Sequence, residues 1–294
     1  MDQYISQFLS TLSTQKGYTE NTIAAYRNDL GQFAQFVREQ RGSVADPGEV
    51  TPEIVEAYVE SLQRPEGGYA PSTVARKIAA VKSYFHFLSE HQIIPMSPAL
   101  RLNSPKIKKS APKTLSREEI EHLLAAPRQN SGPKALRDSA LLELLCATGM
   151  RVTEVVNLRL EDVDWEQADV ICHSKDERER RIPLASALLP LKEYVDNARA
   201  ALQNDNSPNT LFLNHRGKKL TRQGVWLILR EAAEIAGIQA EVTPRTLRHS
   251  FAKHLIGSGE NLRRVQKLLG HANLSTTQVY RQPAPVDAPA EAKD

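Results

Sequence analysis

Apolar residues recur at helical spacing through roughly the first 91 residues. Tyr4, Phe8 and Leu12 mark one amphipathic helix. Thr19 can cap a second, with Ile23, Tyr26, Leu30 and Phe33 along one face. Thr51-Pro52 reads as a cap followed by proline at the first helical position, with Ile54, Val55, Tyr58, Val59 and Leu62 behind it. Ser72 can start a fourth helix, whose Val74, Ile78, Val81, Phe85 and Leu88 step by three and four. Four short helices of this kind predict a compact bundle over residues 1–91.

Residues 92–113 break the pattern. Pro95, Pro98, Pro105 and Pro112 oppose helix, and Arg101, Lys106, Lys108, Lys109 and Lys113 come with no acid. A basic, proline-stiffened linker of this kind can lie along a phosphate backbone, though a plain solvated linker has the same composition. A second domain is expected over residues 114–281. Ser116-Arg-Glu-Glu119 is a capping-box candidate. Ala135 to Thr148 reads as a buried helix ended by Gly149, with a polar turn after it. Asp169–Ser174 and Arg181–Leu184 read as two strands around a polar hairpin stretch, Lys175–Arg180. Helical patterns resume at Ser186–Gln203 and Thr221–Ala236. Thr243-Pro244 opens another helix, and Asn261–Leu269 and Ser275–Arg281 flank Gly270. The expected fold is mainly α with a small antiparallel β-sheet. Residues 282–294, with Pro283, Pro285 and Pro289, are expected to form a flexible tail.

Composition narrows the class. At 294 residues the chain suits two domains; 40% hydrophobic and 25% charged residues make it globular. No run approaches the ~18 apolar residues of a membrane span. The N-terminus lacks the basic cap and apolar stretch of a secretory signal. Cys146 and Cys172 lack the spacing of a zinc site or a disulfide framework. A reduced, cytoplasmic protein without a membrane partner is expected. The net charge of +3 says little, but its distribution says more: Val242 to Arg281 holds seven Lys/Arg against Glu260 alone. A polyanion such as nucleic acid fits that asymmetry, and so does a solvated helix face.

Arg151, Lys175, Arg248, His271 and Tyr280 form a phosphoryl-transfer set. The phenol would be nucleophile, the guanidiniums would hold charged phosphate, and the ammonium would supply a proton. Taken singly, each has a plainer reading: a surface ion pair, a solubilising lysine, a packing tyrosine.

Four blocks change that balance. Ala147-Thr-Gly-Met-Arg-Val-Thr-Glu154, Thr243-Pro-Arg-Thr-Leu-Arg-His-Ser-Phe-Ala252 and Leu268-Leu-Gly-His-Ala-Asn-Leu-Ser-Thr-Thr-Gln-Val-Tyr280 resemble, in order, the two arginine motifs and the nucleophile block of the tyrosine recombinases. Ser174-Lys175 to Pro183 resembles the family's lysine hairpin. The resemblance runs from Asp2 to Tyr280 and is strongest to the Xer group of chromosome-dimer resolvases. It implies an N-terminal SAM-like core-binding domain and a C-terminal catalytic domain that clamp duplex DNA. It implies that Tyr280 attacks a backbone phosphate to form a 3′-phosphotyrosine, with Lys175 as general acid. Arg151 and Arg248 would stabilise the phosphorane, with His271 hydrogen-bonded to it. It further implies a homo- or hetero-tetramer on two DNA sites, an activating DNA translocase, and a role at a Xer-type site. Exchange of one phosphodiester for another needs no ATP, and cationic side chains can replace a metal, so neither cofactor nor metal is expected. Lys106, Lys108, Lys109 and Arg222 are the DNA-contact candidates. A mobile-element integrase, a type IB topoisomerase, or a relative that binds DNA without cutting would share much of this.

The chain departs from the family at one catalytic position. The second motif usually reads His-x-x-Arg, and here it reads Arg245-Thr-Leu-Arg248. A guanidinium cannot act as a base. Arg245 is expected either as a third phosphate clamp that favours the phenolate, with Glu154 as its partner, or as a sign of reduced activity. Neither His249 nor His254 is expected to be catalytic, and His249, which touches the motif, is expected to support the fold. The proline-rich tail also departs from the helix that usually docks on a neighbouring protomer.

Overall fold

The structure is a computed structural model. It describes residues 1–14, 17–41, 46–64, 67–103, 105, 112–173 and 179–281. It divides into two compact units, Met1–Lys109 and Ser110–Asp294.

The first unit holds α1 (Asp2–Thr14), α2 (Glu20–Arg41), α3 (Pro52–Leu62) and α4 (Pro71–Glu90). Thr19 begins α2 as expected, its hydroxyl accepting from the Thr22 N–H at 3.3 Å. Thr51 takes the extended cap backbone but bonds no helix N–H. Its hydroxyl bonds Glu53 instead and holds that carboxyl below its ordinary value. The fourth helix starts at Pro71 rather than Ser72, because proline suits the first helical position, where its missing N–H has no partner to lose. Leu30, Phe33, Ile78, Tyr84, Phe85 and Leu88 are fully buried, and the ring edges of Phe8 on Tyr84 and Phe33 on Phe85 interlock α1, α2 and α4. Residues 92–103, expected as linker, carry Ile94, Ala99 and Leu102, which are buried in this same core.

The second unit is built around α6 (Pro133–Thr148), a helix buried on most of its circumference. It packs against α5 (Arg117–Ala125), α8 (Leu188–Asn197), α9 (Arg199–Leu202) and α11 (Pro244–Gly257). The capping box of α5 forms in full between Ser116 and Glu119. Gly149 ends α6 with φ 59°, and a Cβ there would sit 2.4 Å from the Phe251 ring. Glycine is therefore required both for the left-handed turn and for the approach of α11.

The polar turn expected after Gly149 is a further short helix, α7 (Val152–Asn157), which begins directly after Arg151. The sheet is antiparallel in the order β1 (Val163–Asp164), β2 (Asp169–His173), β3 (Glu179–Pro183). Its hairpin pairs Cys172 with Arg180 and His173 with Glu179. The two-residue β1 carries too little pattern to be seen in the sequence. After α10 (Arg222–Ile235) come α11, α12 (Leu262–Leu269), α13 (Ser275–Gln278) and a single turn at Val279–Arg281. Both cysteines are free, and burial pushes each thiol up to about 12. Among the described residues, no helix is long and apolar enough to cross a membrane.

Candidate active site

The site is organised by the C-terminus of α12. Asn261 caps the start of this helix, its side chain accepting from the Arg263 N–H at 2.8 Å. Gly270 ends it with φ 62°. The last carbonyls of a helix lack intrahelical partners and form the negative end of its dipole. Here three successive carbonyls each take an arginine. Leu268 O accepts from Arg180 Nε at 2.8 Å, Leu269 O from Arg248 Nη2 at 2.6 Å, and Gly270 O from Arg151 Nη2 at 3.0 Å. Arg248 also donates from Nη1 to Gly149 O at 2.8 Å, which ties the ends of α6 and α12 together. Three guanidiniums from distant parts of the chain thus converge on one turn.

Glu154, in the first turn of α7, pairs with two of them. Arg180 donates to both of its oxygens at 3.0 and 2.9 Å, and Arg151 donates to Oε1 at 2.9 Å. The Arg151 backbone N–H donates to Oε2 at 2.7 Å. Burial works to raise the Glu154 carboxyl, but the hydrogen bonds and charge of Arg180, with those of Arg151, hold it below its ordinary value.

Arg248 belongs to the first turns of α11, where Arg245 is exposed and Thr246 and Leu247 are buried. Thr243 caps this helix, accepting from the Thr246 N–H at 3.1 Å, with Pro244 in the first turn. Arg245, Arg248 and His249 then fall at i, i+3 and i+4 on one face. Together with Arg151, His271 and Tyr280 they line a cavity of ≈370 Å³. His249 Nδ1 lies 2.5 Å from the Tyr280 hydroxyl, and Arg245 Nε donates to His249 Nε2 at 3.2 Å. Burial raises the Tyr280 phenol above its ordinary value, and the charges of Arg248 and Arg245 pull it back. Burial, then Arg151, lowers Arg248 to about 10. Burial and the neighbouring guanidiniums push both His249 and His271 down to about 4, so both rings are neutral at ordinary pH. His271 Nδ1 lies 2.9 Å from the buried Thr277 hydroxyl, which fixes the ring over the cavity.

The structure therefore brings Arg151, Arg248, His271, Tyr280 and Arg245 to one cavity. It corrects two expectations. Glu154 pairs with Arg151 and Arg180 rather than with Arg245, because α7 points it at the end of α12. Arg245 meets His249 instead. His249, expected to support the fold, touches the candidate nucleophile. The i, i+4 spacing from Arg245 on a helix begun by Thr243-Pro244 was the signal that could have placed it there. Arg180 was missed altogether, hidden in a polar hairpin run where nothing local distinguishes it. Lys175, Lys106, Lys108 and Lys109 lie outside the described residues, as does the tail 282–294. Arg222 is exposed in the first turn of α10. Of the seven basic residues between Val242 and Arg281, all but Arg248 are exposed.

Residues 113–286 match the Phage integrase family, and residues 5–92 match the Phage integrase N-terminal SAM-like domain. Tyrosine recombinase XerC of Herpetosiphon aurantiacus is 46% identical over 95% of this chain and 90% of its own length. Tyrosine recombinase XerD of Listeria innocua is 41% identical over 95% of this chain and 94% of its own. The crystal structure of the XerH site-specific recombinase bound to palindromic difH substrate, a post-cleavage complex, superposes with a TM-score of 0.76 at 22% identity. It covers 94% of this chain and 80% of that one, and shows the shared fold. The chain belongs to the phage integrase family and is a site-specific tyrosine recombinase.

Proposed function

We propose that this chain cuts and rejoins duplex DNA with Tyr280 as its nucleophile, at a site of the Xer type. One observation carries the reading: a tyrosine hydroxyl shares a cavity with two arginines whose guanidiniums are already fixed on the end of α12. Attack by the phenol oxygen on a backbone phosphorus forms the 3′-phosphotyrosyl bond and breaks the bond to the 5′ oxygen, which leaves with the electron pair. Charge on the phosphorane grows during this step. Arg151 and Arg248 are preorganised against it, since their carbonyl and carboxylate partners hold them in place before substrate arrives. Neutral His271 supplies a hydrogen bond to a non-bridging oxygen. Lys175 protonates the leaving 5′ oxygen. A 5′ hydroxyl from a second duplex reverses the step and joins a new partner strand.

Relatives named XerC and XerD along nearly the whole chain favour dimer resolution over mobile-element integration. The same reading includes a tetramer on two DNA sites, an activating DNA translocase, Lys106, Lys108, Lys109 and Arg222 as DNA contacts, and action on chromosomal DNA in the cytoplasm. Residues 1–91 together with the packed segment 92–103 would serve as core-binding domain, and the remainder of the expected linker 92–113 would join it to the catalytic domain at 114–281.

The test begins with DNA crosslinked to the protein in its host. Enrichment at one locus opposite the replication origin is expected; enrichment at mobile-element ends would overturn the Xer-type role. A duplex of that sequence, nicked beside the scissile phosphate, should then trap a covalent adduct that Tyr280→Phe abolishes. Tight binding without any adduct would leave a DNA-binding protein and no recombinase.

A further inference from the structure

Two contacts on one imidazole have a chemical consequence. Arg245 Nε donates to His249 Nε2 at 3.2 Å, and His249 Nδ1 lies 2.5 Å from the Tyr280 hydroxyl oxygen. A guanidinium has only donors, so the nitrogen it faces must offer a lone pair. A neutral imidazole has one lone-pair nitrogen and one N–H. With Nε2 occupied as acceptor, the ring proton sits on Nδ1 and points at the phenol oxygen. Protonation of the whole ring would put two donors nose to nose at Nε2. Burial and the charges of Arg245 and Arg248 oppose it, holding the ring at about 4.

We propose that Arg245 and His249 form a relay that activates Tyr280 by donation rather than by proton abstraction: the guanidinium locks the imidazole as its Nδ1–H tautomer, and that N–H stabilises the phenolate. The inference rests on Tyr280 being the nucleophile. His249 touches the reacting oxygen; Arg245 is a positioning residue that acts through it. The phenolic proton goes to water, not to His249, whose Nδ1 is already protonated. The phenolate oxygen then forms its bond to phosphorus as the bond to the 5′ oxygen breaks. Other charged and titratable groups at the cavity are Arg248, Arg151 and His271; the charges of Arg248 and Arg245 also favour the anion. Among the described residues, His249 supplies the side-chain hydrogen bond to this hydroxyl. The relay accounts for arginine at a position where the family usually carries histidine. Arginine cannot take a proton, yet it can dictate where the neighbouring ring keeps its own.

The test needs no DNA, so its failure is distinguishable from failure of the nucleophile assignment, which the covalent adduct reports. The full chain is labelled with ¹⁵N-histidine, and the His249 signals are identified by their loss in His249→Gln. The expected spectrum shows a directly bonded proton on Nδ1 and a pyridine-type Nε2. The reverse assignment overturns the proposal. As a second reading, the ionisation of Tyr280 is isolated by ultraviolet difference against Tyr280→Phe. His249→Leu should lower the phenolate fraction at a given alkaline pH by about tenfold, one pKa unit. An unchanged titration curve would remove His249 from the mechanism.

Discussion

Arg180 and Glu154 face each other as two planar forks, Nη1 to Oε1 at 3.0 Å and Nη2 to Oε2 at 2.9 Å, with each side chain only 9% exposed. Such bidentate pairing is directional as well as strong. It joins β3 to α7, and through Arg180 Nε and Leu268 O it also joins the sheet to the end of α12. Arg151 shares the same carboxylate, so the pair sets where a candidate phosphate ligand stands.

Removing Arg180 strips its bidentate contact from the buried Glu154 carboxylate, which keeps only its hydrogen bonds from Arg151. Arg180→Ala is expected to cost about 1–3 kcal/mol of stability, measured by urea unfolding, and to leave Arg151 as the remaining cation on Glu154. Wild-type stability recovered in full would mean the pair is incidental.

The pH dependence of that pair has a definite sign. Glu154 is held below the ordinary carboxyl value of 4.5 in the folded chain. Its contribution is therefore complete above 4.5 and is lost as pH falls through the lower folded value. Unfolding free energies of wild type and Glu154→Gln should differ most near neutral pH and converge in acid. A gap that widens on acidification contradicts the assignment.

Gly270 combines φ 62° with a crowded neighbour: a Cβ there would lie 3.0 Å from Arg180 Nη1. Gly270→Ala should destabilise by about 1–2 kcal/mol from backbone strain alone. It should also push Arg180 from the helix end and misplace His271. Thermal unfolding measures the first effect and adduct formation the second.

Arg248 spans Gly149 O and Leu269 O with two different nitrogens. A lysine brings one point charge and no planar fork. Arg248→Lys should therefore fold and bind DNA, yet lose about 10²-fold or more in single-turnover cleavage. Cleavage within a few-fold of wild type would mean that charge alone suffices there.

His173 Nε2 lies 2.8 Å from Asp162 Oδ1 and Nδ1 lies 3.1 Å from Glu179 Oε1, where β2 ends against the start of β3. The hydrogen bond to Asp162, foremost, raises this imidazole above its ordinary 6.5. Its stabilising contribution is complete below 6.5 and is lost as pH rises through the raised value. A histidine NMR titration should show the elevated midpoint, and Asp162→Asn should bring it back down.

Arg245→His tests whether the arginine is a substitute or a defect. Because a neutral imidazole at 245 no longer compels His249 to keep its proton on Nδ1, cleavage should fall by a few-fold. A tenfold gain would show that arginine impairs the enzyme.

Much of this molecule was readable in its linear order. The spacing of Ile78, Val81, Phe85 and Leu88 made α4 visible because a 3.6-residue repeat puts them on one buried stripe. Thr243-Pro244 announced α11, and Gly149 and Gly270 announced helix ends, because capping and left-handed turns are local events. Three of the motif blocks carry Tyr280, Arg151, Arg248 and His271 and are legible without any fold. What remained hidden was pairing. Glu154 was matched with the wrong arginine, since nothing local says that α7 and β3 both turn toward the end of α12. Arg180 looked like one of several charges in a polar run until its partners at Glu154 and Leu268 O were seen. His249 lies inside a recognised block, but its contact with Tyr280 spans 31 residues. Helix periodicity and caps depend on neighbours along the chain, so sequence order suffices for them. Hydrogen bonds between distant side chains depend on how the elements pack, and only the folded chain decided which arginine met which carboxylate and which histidine met the phenol.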